Sequence, residues 1–349
     1  MNYGLRSKMQ GFATDADQAE FNALLDVSAT IDSGIEDDKI AGTIYDELEN
    51  LDGHLEEEWM MEDQGKELLV GQIAEHIQWR AKVLDDMYPF EYKENHLTLK
   101  ESPSLVYLFC LCVSVINNLT KGDNVKLPRF FEVMAGRLFT KFFSSHAKHM
   151  HTGWPRSNGN PSSYKELAYK LNSSISPNTR EWSWRVENGL RDEDALRIKD
   201  CGVDFVTWVD FLDGRDGRLF ALGQCACGND WPTKFQDIKI ERLTPWFHPL
   251  TYIKCVKVFS TPYVLVDEMI REASAEAGII FDRVRLTIAY ERFKDEFGDM
   301  QDELDALITF CKELKRPSDG PLPYIRDVSH NRFKQRWWNC ITYDLISLF

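Results

Sequence analysis

The stretch from residue 203 to residue 227 constrains this chain more than any other. VDFVTWVDF, residues 203–211, is dense in β-branched and aromatic side chains, which suit a pleated, half-buried surface. The turn Asp213-Gly214-Arg215-Asp216-Gly217 follows, with residue types that tolerate left-handed backbone. RLFALGQCAC, residues 218–227, then returns along the first run. Two strand-like runs about such a turn read as an antiparallel hairpin, so the fold must contain a sheet.

The flanks read as helices. Before residue 100 the apolar positions Ile40, Ile44, Tyr45, Leu48 and Leu51, then Leu68, Leu69, Ile73, Ile77, Trp79, Val83 and Leu84, recur at helical spacing. Leu105 to Ile116 is the longest apolar run. It is shorter than the roughly 20 residues that span a bilayer, and reads as a buried helix started by Ser102-Pro103. Lys121 to Asn124 is turn-rich, and Pro128 opens a helix that runs to about Phe143. Residues 153–163 read as a loop and Ser163 to Leu171 as a short helix. Asn229 or Asp230 caps a helix beginning near Pro232. Tyr263 to Ala277 and Asp295 to Leu314 read as helices, Ile279 to Tyr290 as strand or helix, and the aromatic tail from Asp327 as a segment that packs back on the body. The expected fold is α/β: an acidic helical region over 1–120, a core of mixed sheet flanked by helices over 121–262, and a mostly helical extension over 263–349.

Charge narrows the function. The net charge is −15, with acids crowded into the first segment at Glu36, Asp37, Asp38, Glu47, Glu49, Glu56, Glu57, Glu58, Glu62 and Asp63. Those runs read as a solvated helical surface, with a surface for a protein partner as the alternative. Phosphate binding runs on Lys and Arg, so nucleic acid can engage such a body only through a local basic patch. One exists. Between Lys126 and Arg156 the basic residues are Lys126, Arg129, Arg137, Lys141, Lys148 and Arg156, with His146, His149 and His151 read as a solvated or phosphate-facing helix end. Glu132 is the single acid there, beside Phe130 and Phe131. A carboxylate at the edge of a core needs a partner such as a cation. The eight dispersed cysteines read as free thiols of a reducing cytoplasm, and the first residues carry no apolar leader. Cys225 and Cys227, with Cys201 and His248 or Cys255, are the alternative zinc set, though C-x-C spacing is not the usual one.

In the hairpin, Asp204 starts the first strand and Gln224 lies 20 residues on, near the position opposite. Cross-strand neighbours on one face stand about 5 Å apart, a spacing for two ligands of one divalent ion. Lys234 follows in NDWPTKF, within reach of the hairpin's end.

RFFEVMAG, KDCGVDFVTW and LGQCACGNDWPTKF, in that order, resemble the restriction-endonuclease-like superfamily, the PD-(D/E)xK nucleases, over about a third of the chain, residues 126–240. The resemblance implies that Glu132 is the acid of the first helix and that Asp204, Gln224 and the Cys225 carbonyl are ligands of Mg²⁺ or Mn²⁺. It implies a catalytic set of Asp204, Gln224, Lys234 and Glu132. Arg129, Arg137, Lys141 and Lys148 would contact the backbone of a nucleic acid, DNA on the strength of the resemblance. The triplet here is Gln224-Cys225-Ala226, so the family's Lys is missing and Lys234 is its candidate replacement. The implied activity is phosphodiester hydrolysis by a metal-dependent endonuclease, and similar proteins serve bacterial defence against phage. A partner subunit or homo-oligomer is expected, and no membrane. The alternative is a catalytically degenerate nuclease fold acting as a scaffold in a larger complex.

Overall fold

The computed structural model describes residues 3–34, 55–156, 160–175, 179–184 and 199–315. The expected helix over Ile40 to Leu51 and the aromatic tail lie outside these residues.

The chain begins with helix α1 (Tyr3–Asp26) and strand β1 (Ser28–Thr30), then α2 (Leu55–Leu84), β2 (Phe90–Lys93) and β3 (His96–Leu99). The apolar run forms α3 (Leu105–Val115), and α4 (Lys126–Phe143) carries Pro128 in its first turn, where a missing N–H costs nothing. Strand β4 (Ala147–His151), helix α5 (Tyr164–Ile175) and the hairpin strands β5 (Phe205–Val209) and β6 (Leu219–Cys225) follow. The chain continues through β7 (Val256–Ser260), α6 (Asp267–Ala277), β8 (Ile279–Phe281), α7 (Arg283–Arg292) and α8 (Gln301–Lys315). The segment 279–292 is therefore strand first and helix second.

The expected hairpin is present, and it is the centre of a five-stranded sheet of order β4-β5-β6-β7-β8. β4, β5 and β6 pair antiparallel, while β6, β7 and β8 run parallel, so the sheet is mixed. A second sheet, β1-β3-β2, lies in the region expected to be helical.

Two further expectations are corrected. The histidine segment is not a helix end: Ala147 to His151 pairs residue for residue with Val209 to Phe205. Its Lys and His side chains fit the edge of a sheet, where charge discourages further pairing, and that tertiary pairing overrides local propensity. Lys234 is not in a helical first turn; it ends a four-residue 3-10 turn, Trp231–Lys234.

One face of the sheet meets α4. Leu127, Phe130, Phe131, Met134, Ala135, Leu138 and Phe139 of that helix join Phe205, Ala221 and Cys225 in the main core. Val206, Trp208, Phe220 and Leu222 point the other way, against Tyr164, Leu167 and Leu171 of α5. Close approach of α4 rests on two glycines. A Cβ at Gly136 would stand 3.2 Å from Phe205 Cγ, and one at Gly223 would stand 2.0 Å from Phe205 Cζ. The Phe205 ring thus lies between helix and strand where neither has a side chain.

No break in packing marks residues 120 or 262. The main core takes Phe21 of α1, Phe109 of α3, Phe139 of α4 and Leu304 of α8 together. A buried charge network crosses it. Arg80 Nη1 of α2 lies 2.8 Å from Asp17 and 2.9 Å from Glu20 of α1. Arg283 of α7 holds the same Asp17 at 2.7 Å, and the Tyr107 hydroxyl donates to Glu20 at 2.8 Å. A truncation at residue 100 would cut through this core. Among the described residues no helix is long and apolar enough to cross a membrane.

Candidate functional site

Three elements converge where β4 ends and β5 begins. Thr152 and Gly153 both donate main-chain N–H to the Asp204 carbonyl, at 2.7 and 3.0 Å. Glu132 comes down from α4, one turn before the Gly136 contact with Phe205. His151 pairs with Phe205 across the strands and so shares the α4 face.

Asp204 departs from the ladder. The β5–β6 register would set it opposite Gln224, since Phe205 faces Gly223. Instead its N–H bonds the Gly223 carbonyl at 2.7 Å. Its carboxylate Oδ2 accepts the Cys225 N–H, also at 2.7 Å.

Gly153 locates the centre of the arrangement. A Cβ there would lie 2.7 Å from Glu132 Oε2, 3.1 Å from Asp204 Oδ1 and 3.1 Å from His151 Nε2. Two carboxylates and an imidazole therefore face one small space, which only a glycine leaves open. Glu132 and His151 share a hydrogen bond of 3.2 Å. The Glu132 side chain keeps 18% of its surface exposed, so solvent reaches the cluster.

The electrostatics are unfavourable as they stand. Burial, with Asp200 nearby, pushes Glu132 up to about 8 against the weaker pull of Arg129. Burial and the neighbouring Glu132 raise Asp204 well above the carboxylate range, although the Cys225 N–H opposes this. Burial holds His151 below the ordinary imidazole value, with Asp204 raising it and Arg156 lowering it. Its Nδ1 is buried with no hydrogen-bond partner. Like charges crowded in low dielectric keep their protons unless a cation joins them.

The residue types fit a hard divalent cation. Mg²⁺ takes one or two carboxylates, carbonyl oxygens and water. Glu132 and Asp204 supply the carboxylates. The Cys225 carbonyl leaves its strand on the same edge as the N–H bound to Asp204. Among the described residues no group of three or more His, Cys, Asp and Glu could hold a metal ion as placed, so a bound ion would need main-chain, amide or water oxygens as well. The Cys225 and Cys227 thiols are raised by burial, against the thiolate that zinc requires.

The other sequence-derived residues fare differently. Alternation sends Gln224 to the face of Phe220 and Leu222, away from α4. It makes no hydrogen bond to Asp204 or Glu132 among the described residues, and its Oε1 is buried without a partner. Lys234 Nζ lies 3.6 Å from Asp230 and is not among the charges acting on Glu132 or Asp204. Arg137 is held by Asp299 at 2.8 Å and Lys141 by Glu296 at 2.6 Å, so both tie α4 to the segment before α8. Lys148 stands 3.9 Å from Asp210. Arg129 is exposed and near enough to Glu132 to lower its pKa.

Sequence reasoning passed over His151, Asp200 and Arg156 as members of this site. The only local signal was the alternation Ala-Lys-His-Met-His leading into Thr152-Gly153, which becomes legible once that segment is taken as a strand.

Comparison with family models, with curated proteins and with solved structures finds no match to this chain.

Proposed function

We propose that this chain is a divalent-metal-dependent hydrolase of nucleic-acid phosphodiester bonds, on a restriction-endonuclease-like core. One observation carries the reading: the Glu132 and Asp204 carboxylates and the His151 ring face the space at Gly153, and among the described residues neither carboxylate has an ion pair with Lys or Arg. A mixed sheet with a helix-borne acid and a strand-borne aspartate agrees with the sequence resemblance.

In this reading Glu132, Asp204 and the Cys225 carbonyl hold Mg²⁺ or Mn²⁺, and Gln224, which faces away from α4, is not a ligand. The ion would supply Lewis-acid stabilisation of charge on the phosphate and a lowered pKa for the attacking water. His151, whose burial favours the neutral ring, takes the role that the resemblance would give to Lys234, itself paired with Asp230. It accepts or orients a proton beside Glu132, within the space where water must sit. Gly153 keeps that space open. Arg129 and Lys148 remain the candidates for phosphate contacts, which position a strand without reading its bases.

A second reading is a non-catalytic scaffold. The alanine at position 226 favours it, with Lys234 paired to Asp230 at 3.6 Å. The two separate in a cleavage assay of the full chain on single-stranded and duplex substrates with Mg²⁺ or Mn²⁺. The hydrolase reading expects metal-dependent cleavage, reduced by at least about a hundredfold in Asp204→Asn and Glu132→Gln, the scale lost with one electrostatic stabiliser. It expects Lys234→Ala to stay within about threefold of wild type, because in this reading His151, not Lys234, handles the proton. No metal-dependent cleavage by the wild type would leave the scaffold.

A further inference from the structure

The residue after Gly153 is Trp154, and its side chain is 41% exposed. Trp182, Trp208, Trp231 and Trp246 are buried. Trp154 follows directly on the glycine that the two carboxylates and His151 face, and an indole kept in water does little for the fold. It is also well supported. The Arg156 guanidinium lies 5.2 Å from the centre of the Trp154 ring and 5.9 Å from that of Tyr164. Arg156 donates to the Ser162 carbonyl at 2.6 Å and to the Lys199 carbonyl. Tyr164 is buried edge-on against Trp246, with ring centres 5.1 Å apart. Main-chain carbonyls thus fix the guanidinium that underpins the exposed ring.

Charge supplies an independent observation. Duplex binding draws on many phosphate contacts. Here Arg137 and Lys141 are spent on Asp299 and Glu296, and Lys148 is shared with Asp210. Of the four basic side chains that the resemblance marks for backbone contact, only Arg129 is left without an acidic ion-pair partner among the described residues. Single strands bind instead through stacking on aromatic rings, with fewer phosphate contacts required.

We propose that Trp154 is a stacking platform for an unpaired base beside the scissile phosphate, so that the substrate class is single-stranded nucleic acid rather than duplex. This rests on the hydrolase reading of the same site. Bases inside a duplex are stacked on one another and cannot offer a face to an indole, whereas unpaired bases can. The sugar is not distinguished by such stacking, so DNA and RNA strands both qualify.

Fluorescence anisotropy tests the proposal on the full-length wild type, Trp154→Ala and Trp154→Phe. The probes are labelled oligothymidylate, oligouridylate and a hairpin duplex, at fixed salt, with a chelator present so that no cleavage occurs. Wild type should bind single strands more tightly than the duplex. Trp154→Ala should weaken single-strand binding about ten- to a hundredfold, Trp154→Phe should remain within about threefold because its ring still stacks, and duplex binding should not change. Circular dichroism and thermal melting check that each variant is folded, with Trp154→Phe as the retained-ring control. The proposal is overturned if Trp154→Ala binds single strands like wild type, if duplex is preferred, or if wild type binds no nucleic acid. Trp154-dependent binding without metal-dependent cleavage would remove the hydrolase reading alone. Metal-dependent cleavage indifferent to Trp154→Ala would remove the stacking proposal alone.

Discussion

Gly223→Ala should unfold this protein more readily than its single added methyl suggests. The new Cβ would sit 2.0 Å from Phe205 Cζ and 2.2 and 2.4 Å from the two Cε atoms. Carbon atoms in contact stand about 3.5–4.0 Å apart, so the ring must retreat by roughly 1.5 Å. Retreat is blocked, because on the far side the ring lies against Gly136, where a Cβ would be 3.2 Å from Phe205 Cγ. The ring is fully buried and lies tilted against Phe139, with ring centres 5.9 Å apart. Either α4 lifts from the sheet or the ring leaves its rotamer, and overpacking of this kind costs about 3 kcal/mol. Gly136→Ala should be close to neutral. Its overlap needs only a few tenths of an ångström, and alanine regains about 1 kcal/mol of helix propensity. Urea denaturation with a common slope measures both. The double variant Gly223→Ala/Phe205→Leu should be less destabilised than the sum of the singles by at least about 1 kcal/mol, because the shorter side chain vacates the contested space. A Gly223→Ala variant within about 0.5 kcal/mol of wild type would refute the sandwiched-ring account. It would also remove the reason given for the position of Glu132, one turn before Gly136 on the same helix.

Saturating Mg²⁺ or Mn²⁺ should stabilise the wild type by about 2.7 kcal/mol at a hundredfold excess over Kd, and chelation should reverse it. Asp204→Asn should lose that gain, and an equal thermal shift in both would count against the site. Without metal, stability should fall as pH rises from about 4.5 to about 8. Glu132 titrates near 8 when folded and near its ordinary 4.5 when unfolded, so the folded state holds the extra proton in that window and loses its advantage on deprotonation. The fall in urea midpoint across that range should be shallower in Glu132→Gln, with the raised Asp204 carboxyl contributing what remains. Arg283→Met should cost about 3 kcal/mol by leaving the buried acids Asp17 and Glu20 with Arg80 alone to balance them. Asp17, although desolvated by burial, is held below its ordinary 3.8 by Arg283 and Arg80, so its contribution is intact above that pH and is lost as acid titrates the folded carboxyl. A neutral Arg283→Met in a chemical melt would contradict the network.

The hairpin was legible because its evidence is local: β-branched and aromatic residues on either side of a glycine-rich turn at Asp213 to Gly217. The convergence of Asp204 with Glu132 was legible as well, through a lone acid among basic residues. What escaped was whatever depends on distant pairing. His151 looked like part of a polar segment because its strand is specified by β5, more than fifty residues away. The Asp204 slip, which takes its carboxylate to the Cys225 N–H and separates it from Gln224, cannot be read from spacing, because counting residues assumes an unbroken ladder. Arg137 and Lys141 looked like phosphate contacts until Asp299 and Glu296 folded back against them. The N-terminal region resembled a separate helical unit since nothing in its own residues announces that Asp17 will meet Arg283.

That network sharpens the case for a cation at the other site. The same core handles buried acids in two ways. Asp17 and Glu20 are balanced by two buried arginines, Arg80 and Arg283, within 2.7 to 3.6 Å. Glu132 and Asp204 have His151, whose charge burial opposes, and the weak pull of exposed Arg129 on Glu132; among the described residues neither carboxylate makes an ion pair with Lys or Arg. Arginine is therefore available to this core where balance is structural. An amide or apolar replacement at 132 or 204 would relieve the repulsion and raise stability, so the acids are present at a cost to the fold. On the proposed hydrolase reading such a cost is rational, because the balancing charge would be an exchangeable divalent ion reached from the partly exposed Glu132 side, which an arginine fixed in the same place would exclude.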